Sequence, residues 1–208
     1  MRHRSFLWLT LSVMLTGCAT NATFVAPNTE VRKLAEDNKG IVLLYTSLHD
    51  EPCHILKAKL AKPQPSGHYA EAEWINLKFV NNRPKEPSQI VLAAGDYGFV
   101  ELECQGVQRR VYAARVVGSV YERPIATFNV QAGEVVDIGS LQLPARLVGA
   151  YGWKRPIFNA VVTPIPELWL QNLAASNPNL HSARVTRLMK VPPPGPPQND
   201  PTAAADAR

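Results

Sequence analysis

Apolar residues recur along most of this chain in short runs separated by turn residues, a pattern typical of β-strands. A continuous apolar run at residues 41–45 predicts a buried first strand. The other runs of strand length cover residues 55–61, 74–80, 90–93, 99–104, 111–117, 125–130, 135–143, 147–151 and 157–162. Seven or more such strands between Gly, Pro and Asn turns predict a mainly β protein, an all-β sandwich or barrel, and we expect an antiparallel β-sandwich.

Two segments carry a helical pattern instead. Thr29 can cap a short helix over residues 30–37, and Pro166 stands where a first helical residue tolerates proline. The apolar face of this short C-terminal helix is expected to consist of Leu168, Trp169, Leu170, Leu173 and Ala174. Residues 192–208 are rich in proline and small residues, which predicts a disordered Pro-rich tail with polyproline II character.

Alternation within residues 99–104 predicts which side chains face the core. Val100, Leu102 and Cys104 fall on one face, and we expect that face to be buried. Phe99, Glu101 and Glu103 fall on the other face, where the two glutamates predict a solvated surface.

The N-terminus carries a different hydrophobic pattern. Arg2 and Arg4 precede an apolar run at residues 6–15, and the run ends in Leu15-Thr16-Gly17-Cys18. A basic start, a short apolar core and a small-residue exit form an export signal. An ordinary cleaved signal and an uncleaved anchor are the alternatives, although the run is short for a bilayer span, which needs about 20 residues.

The Leu-x-Gly-Cys ending resembles the lipobox of bacterial lipoproteins. That resemblance implies cleavage between Gly17 and Cys18 and lipidation of the Cys18 sulfur, with fatty acyl groups such as palmitate as the membrane anchor. Position 19 is Ala rather than Asp, which by the same resemblance favours the outer membrane, facing the periplasm.

These patterns predict an organisation of the whole chain. Residues 1–17 form the signal peptide and residues 18–28 a flexible tether. The β-sandwich domain covers residues 29–163, a C-terminal helical or strap segment covers residues 164–191, and the disordered tail covers residues 192–208.

Charge and motif content narrow the function classes. Removal of Arg2 and Arg4 with the signal lowers the formal net charge from +5 to about +3. The remaining Lys and Arg are scattered between apolar positions, whereas a nucleic-acid surface concentrates them on one face. The sequence contains no Gly-x-Ser-x-Gly elbow, His-Glu-x-x-His, phosphate-binding Gly loop or dinucleotide fingerprint. We therefore expect no nucleic-acid partner and no cofactor.

The three cysteines suit an oxidising compartment. If Cys18 carries lipid, Cys53 and Cys104 remain as an even pair and a candidate disulfide. Their bridge would close a loop of roughly 50 residues, worth about 4 kcal/mol in the chain-entropy model. Two buried thiols, or one reactive thiol, are the alternatives.

Residues 49–54 form the densest polar stretch, His-Asp-Glu-Pro-Cys-His. His49 and His54 could bind a metal or small ligand, but ligands confined to one short turn converge poorly. Cys53 could instead be the nucleophile of a hydrolase resembling the Cys-His enzymes that trim bacterial cell wall. No suitably spaced His partner for Cys53 stands out, so we expect no catalytic residue and no metal site.

Two segments of the middle region carry a further resemblance. Leu92-Ala-Ala-Gly-Asp-Tyr97, and Phe128 to Gly139 with Leu141, resemble bacterial lipoproteins with a prealbumin-like or carboxypeptidase-regulatory-like β-sandwich. The resemblance implies a scaffolding or adhesion role and carries over no catalytic residue. The sequence therefore predicts a lipid-anchored, non-catalytic envelope module with a protein or glycan partner. The alternatives are a cell-wall-directed cysteine hydrolase using Cys53 and a small-ligand or metal carrier using His49 and His54.

Overall fold

The computed structural model describes residues 23–24, 31–48, 55–77, 86–105, 109–112, 115–143, 145–148, 155–158 and 160–193. These residues form a mainly β structure with few helices. The helices are α1 (Val31–Glu36), α2 (Glu167–Ser176) and α3 (Pro178–Ser182). The strands are β1 (Thr23–Phe24), β2 (Lys39–Leu48), β3 (Ile55–Pro63), β4 (Tyr69–Leu77), β5 (Ser88–Ala93), β6 (Gly95–Gln105), β7 (Arg109–Tyr112), β8 (Arg115–Val117), β9 (Val120–Tyr121), β10 (Ala126–Val130), β11 (Val135–Leu143), β12 (Ala145–Val148), β13 (Arg155–Phe158), β14 (Val161–Thr163) and β15 (Arg184–Thr186).

Most strands belong to two sheets. The first sheet has the order β1-β5-β2-β11-β14, and β15 also pairs with β11. The second sheet has the order β10-β6-β3-β4-β9-β8, and β7 also pairs with β6. β12 and β13 form a separate two-stranded pair. The prediction of a mainly β fold is confirmed.

The expectation that all strands pair antiparallel is wrong for the first sheet. β11 pairs in parallel with two strands, β2 and β15. β2 and β11 are distant in sequence, and the chain between them passes through the second sheet. Turn residues indicate hairpins between consecutive strands, so they do not predict the parallel pairing of β2 with β11.

The apolar run at residues 41–45 is buried on both faces of the first sheet. Val42 and Leu44 belong to a core cluster that also contains Leu60 and Phe99 of the second sheet. Ile41 and Leu43 point to the opposite side, where they share a second cluster with residues of the C-terminal helices. Two-sided burial explains why this strand is continuously apolar rather than alternating.

α2 confirms a C-terminal helix directly after Pro166, but its buried face is narrower than predicted. Leu170 and Leu173 are buried, whereas Leu168 is 57% exposed. The helix ends where Asn177 accepts a hydrogen bond from the Leu180 amide and starts α3. A second short helix therefore follows the first, because Asn177 provides the N-cap and Pro178 occupies the first turn.

Two further expectations need correction. Thr23 and Phe24, which lie within the predicted flexible tether, form β1 against β5. The strict alternation predicted for residues 99–104 is interrupted, because Lys59 pairs with Glu101 while Leu60 pairs with Phe99. The extra residue, Val100, is a β-bulge, so Phe99 and Leu102 both join the core between the sheets.

Gly40 permits a close approach that a side chain would prevent. A Cβ at this position would lie 2.4 Å from the Gln131 carbonyl oxygen and 2.7 Å from Val130 Cγ1. We expect Gly40→Ala to lower the free energy of unfolding by about 3 kcal/mol, the upper range for over-packing. In urea denaturation, Gly67→Ala is the comparison, because Gly67 has a positive φ but no neighbour within 4 Å. Its expected cost is about 1 kcal/mol, and equal losses at the two positions would contradict the steric explanation.

Candidate functional site

A cluster of three polar side chains lies on the second sheet, on the face away from the first sheet. Glu101 is 3% exposed and Tyr121 is fully buried. The Tyr121 hydroxyl donates a 2.5 Å hydrogen bond to Glu101 Oε1, and Lys59 Nζ lies 3.6 Å from the same oxygen. Lys59 Nζ also donates to the Tyr121 hydroxyl at 3.3 Å. We call these residues the Lys59–Glu101–Tyr121 cluster.

Strand register brings the three residues together. Lys59 and Glu101 are direct partners across β3 and β6, immediately before the bulge at Val100. Tyr121 arrives from β9, which pairs with β4 through Tyr69 and Tyr121. Val100, Ala61 and Tyr121 form a small apolar cluster around the site. Together with this bulge, a second set of buried apolar side chains therefore lies on the face of the second sheet that points away from the first sheet.

Trp74 lies beside the cluster. It is the cross-strand partner of Lys59, and the Lys59 ammonium lies 5.6 Å from the Trp74 ring centroid. The same ammonium is 5.8 Å from the Tyr121 ring centroid. Such cation–π contacts contribute about 0.5–1 kcal/mol at exposed sites and more when water is excluded. Trp74 is 38% exposed, so among these side chains it is the one that faces the solvent.

The electrostatics of the cluster favour a neutral tyrosine. Burial raises the pKa of Tyr121, and the hydrogen bond to Glu101 raises it further, while Lys59 opposes both effects. A protonated phenol is the form that donates to a carboxylate. Because the Tyr121 side chain is buried completely, the arrangement binds β9 to the sheet and offers no reactive oxygen to a substrate.

A second buried carboxylate lies in the first sheet. Asp137 is 3% exposed, and its Oδ1 accepts a 2.9 Å hydrogen bond from the Gly139 amide. Its Oδ2 lies 3.9 Å from Nε of Arg184, which is in the adjacent strand β15. Burial raises the pKa of Asp137, whereas Gly139, Arg184 and Thr186 lower it by smaller amounts. This carboxylate therefore helps to join the C-terminal strand to β11 at a net desolvation cost.

The raised pKa of Asp137 predicts a pH-dependent stability difference. The folded protein holds the Asp137 proton more tightly than the unfolded chain does, so the Asp137 contribution is most favourable at low pH. It is lost as pH rises above 3.8, the ordinary pKa of an aspartate, and through the raised pKa of the folded state. We expect Asp137→Asn, measured by urea unfolding, to become more stable relative to the wild type over this rise. A stability difference between the two proteins that stays constant or reverses with pH would contradict burial as the main influence on the pKa of Asp137.

Most residues predicted as functional lie outside the described part of the chain. These are Gly17, Cys18, His49, Cys53 and His54. Cys104 lies in β6, where its backbone is opposite Leu56 of β3 and Arg109 of β7. The Cys53–Cys104 disulfide therefore remains a prediction. The stretch containing His49, Cys53 and His54 connects β2 of the first sheet with β3 of the second.

No known protein family, curated protein or solved structure matches this chain. Within the described ranges, no three His, Cys, Asp or Glu side chains come together as a potential metal site. Among the same residues, no helix is long and apolar enough to cross a membrane. Inference about function therefore rests on the chain itself.

The sequence prediction missed the Lys59–Glu101–Tyr121 cluster. Glu101 was expected on a solvated face and is buried instead. The local sequence offered one signal, because Glu101 stands between Val100 and Leu102 and Lys59 between Ala58 and Leu60. Two opposite charges in two apolar strands suit a cross-strand pair. Finding that pair, however, requires the register of β3 and β6 and the presence of β9.

Proposed function

We propose that this chain is a lipid-anchored, non-catalytic lipoprotein of the bacterial envelope. In this proposal Cys18 holds it to the outer membrane, the domain faces the periplasm, and it acts as a structural or interaction module for an envelope protein or glycan. The observation that carries the proposal is the Leu15-Thr16-Gly17-Cys18 ending of the N-terminal apolar run, behind Arg2 and Arg4. A thioether-linked diacylglyceryl group supplies two acyl chains, and stable anchoring needs at least two such signals.

A prealbumin-like β-sandwich is part of the proposal. It is supported by the core cluster that contains side chains of both sheets. It is also supported by the packing of the two sequence segments that carry the resemblance. Tyr97 and Phe128 are direct partners across β6 and β10, and their rings stack with centroids 5.6 Å apart. The Tyr97 hydroxyl donates a 2.9 Å hydrogen bond to the Ala93 carbonyl, which fixes the turn between β5 and β6.

A non-catalytic role is supported by the way the described strands use their buried charges. Glu101 is bound by Tyr121 and Lys59, and Asp137 by Gly139 and Arg184. Each carboxylate therefore joins strands that are separated in sequence. Groups that are engaged in this way contribute to a rigid scaffold for binding.

Fractionation of cells that produce the full chain tests the anchoring. We expect the protein in the outer-membrane fraction of a two-membrane bacterium, released by detergent and retained in alkaline carbonate or high salt. Release by salt alone, or recovery in the soluble periplasmic fraction, would contradict a lipid anchor.

Thiol alkylation distinguishes the proposed non-catalytic module from the alternative, a cysteine hydrolase that uses Cys53. The mature protein is denatured without reductant, alkylated and analysed by mass spectrometry. We expect Cys53 and Cys104 to take up label only after reduction, because a disulfide leaves no thiolate nucleophile. Label on Cys53 before reduction would overturn the disulfide and favour the hydrolase.

A further inference from the structure

The strand β1 attaches the chain to the first sheet only five residues after Cys18. Thr23 pairs with Val91 and Phe24 with Ile90, at the edge of the sheet formed by β5. A fully extended chain spans at most about 3.6 Å per residue, so Thr23 lies within about 18 Å of Cys18. This limit depends on chain length alone and holds for any path between the two residues.

The direction of β1 shows where the chain leaves the sheet. β1 is antiparallel to β5, so its N-terminal residue, Thr23, lies on the side of Ala93, the last residue of β5. Three turns meet at this end, which we call the proximal end and define by Asn38, Ala94 and Gly133. The Ala94 amide donates to the Asn38 carbonyl at 2.8 Å, and the Gly133 amide donates to the Lys39 carbonyl at 2.7 Å. These hydrogen bonds join the three turns into one surface.

The opposite end of the sheets is defined by Leu48 and Gln105, and we call it the distal end. β2 ends there at Leu48, and β6 ends at Gln105 beside Ile55 of β3. β2 contains 10 residues, and strands rise by about 3.3 Å per residue, so the two ends are separated by roughly 30 Å. The distal end therefore lies farther from Thr23 than the distance of about 18 Å that the segment from Cys18 to Thr23 can span.

Charge does not select the orientation by itself. The exposed side chains near the proximal end include basic Arg32, Lys33 and Lys39 and acidic Glu36 and Asp37. These charges nearly balance, so attraction to anionic headgroups is weak. The length and direction of the tether are what distinguish one end of the domain from the other.

We propose that the proximal end rests against the bilayer that holds the Cys18 lipid, and that the distal end points away from it. This inference rests on the proposed anchor. It keeps the whole module within about 50 Å of the membrane, since the segment from Cys18 to Thr23 adds at most about 18 Å to a domain roughly 30 Å long.

Paramagnetic relaxation measured by NMR tests the orientation. The acylated mature protein is placed in phosphatidylethanolamine–phosphatidylglycerol nanodiscs that contain a lipid with a gadolinium-chelated headgroup. We expect relaxation of the Asn38, Ala94 and Gly133 amides to be enhanced roughly tenfold or more over Leu48 and Gln105, given the separation of about 30 Å. Equal or reversed enhancement in protein whose mass shows acylation would overturn the orientation and leave the anchor standing.

A lengthened tether provides the matched control. Insertion of twelve Gly and Ser residues after Ala19 adds a flexible segment of about 20 Å root-mean-square length. We expect the enhancement at the proximal turns to fall and the contrast between the two ends to shrink. An unchanged contrast would overturn the role of the tether. Absence of the acyl mass from the wild-type protein would instead overturn the proposed function, and the orientation with it.

Discussion

Replacement of Lys59 by methionine is expected to lower the free energy of unfolding by about 3 kcal/mol at neutral pH, because it removes the Lys59 ammonium from beside the buried Glu101 carboxylate. Methionine retains most of the apolar stem that packs in β3, so loss of the ammonium dominates the effect. Tyr121 still donates to Glu101 in this variant, but that hydrogen bond does not replace the attraction of the lost ammonium. Urea denaturation monitored by circular dichroism measures the difference.

Two further variants separate electrostatics from packing. Combining Lys59→Met with Glu101→Gln removes the carboxylate charge together with the ammonium, and we expect it to recover a large part of the lost stability. Lys62→Met is the matched control, since Lys62 lies in the same strand with its side chain exposed. Exposed substitutions of this kind change stability by within about 0.5 kcal/mol. A Lys59→Met effect as small as that of Lys62→Met would contradict a buried ion pair.

Replacement of Cys18 by alanine is expected to remove the acyl anchor completely while the domain remains folded. In the proposed anchor the lipid is attached through the Cys18 sulfur, and alanine has none. The variant should then be held to a membrane at most by its uncleaved signal. In cells fed an alkyne-bearing fatty acid, we expect a labelled wild-type protein and an unlabelled Cys18→Ala protein.

Cys53→Ala is the matched control for the labelling. It removes a cysteine that is available in the sequence but follows no lipobox, so we expect its label to equal that of the wild type. Label on Cys18→Ala, or its loss from Cys53→Ala, would contradict assignment of the lipid to Cys18.

Several elements could be predicted from the sequence because they depend on local patterns. The continuous apolar run at residues 41–45 identified a strand that is buried on two faces. Pro166 and the leucines after it identified α2. In each case one physical cause, hydrophobic burial or the conformational preference of proline, acts over a few adjacent residues.

Other features could not be predicted because they depend on contacts between distant segments. The parallel pairing of β2 with β11 joins segments that no turn connects. The bulge at Val100 shifts the register of β6 by one residue, and a one-residue shift reverses which side chains face the core. Glu101 stays on the face away from the first sheet, and its burial follows from the arrival of Tyr121 there, which is not encoded near Glu101.

The same distinction between local and non-local features applies to the two candidate functional features. The resemblance to a lipobox is visible in the sequence because it lies in four adjacent residues, whereas the Lys59–Glu101–Tyr121 cluster is visible only in the folded sheet. The cluster stabilises the domain, and the lipobox is proposed to position it. Stability and membrane attachment should therefore change independently: Lys59→Met affects the first and Cys18→Ala the second.

The most direct test of the proposed anchor is the mass of the N-terminal peptide of the mature protein, isolated from the outer membrane. We predict a peptide that begins at Cys18, lacks residues 1–17, and carries a diacylglyceryl group on the sulfur with further fatty acyl mass. A mature peptide that begins at any other residue, or a Cys18 with a free thiol, would contradict it.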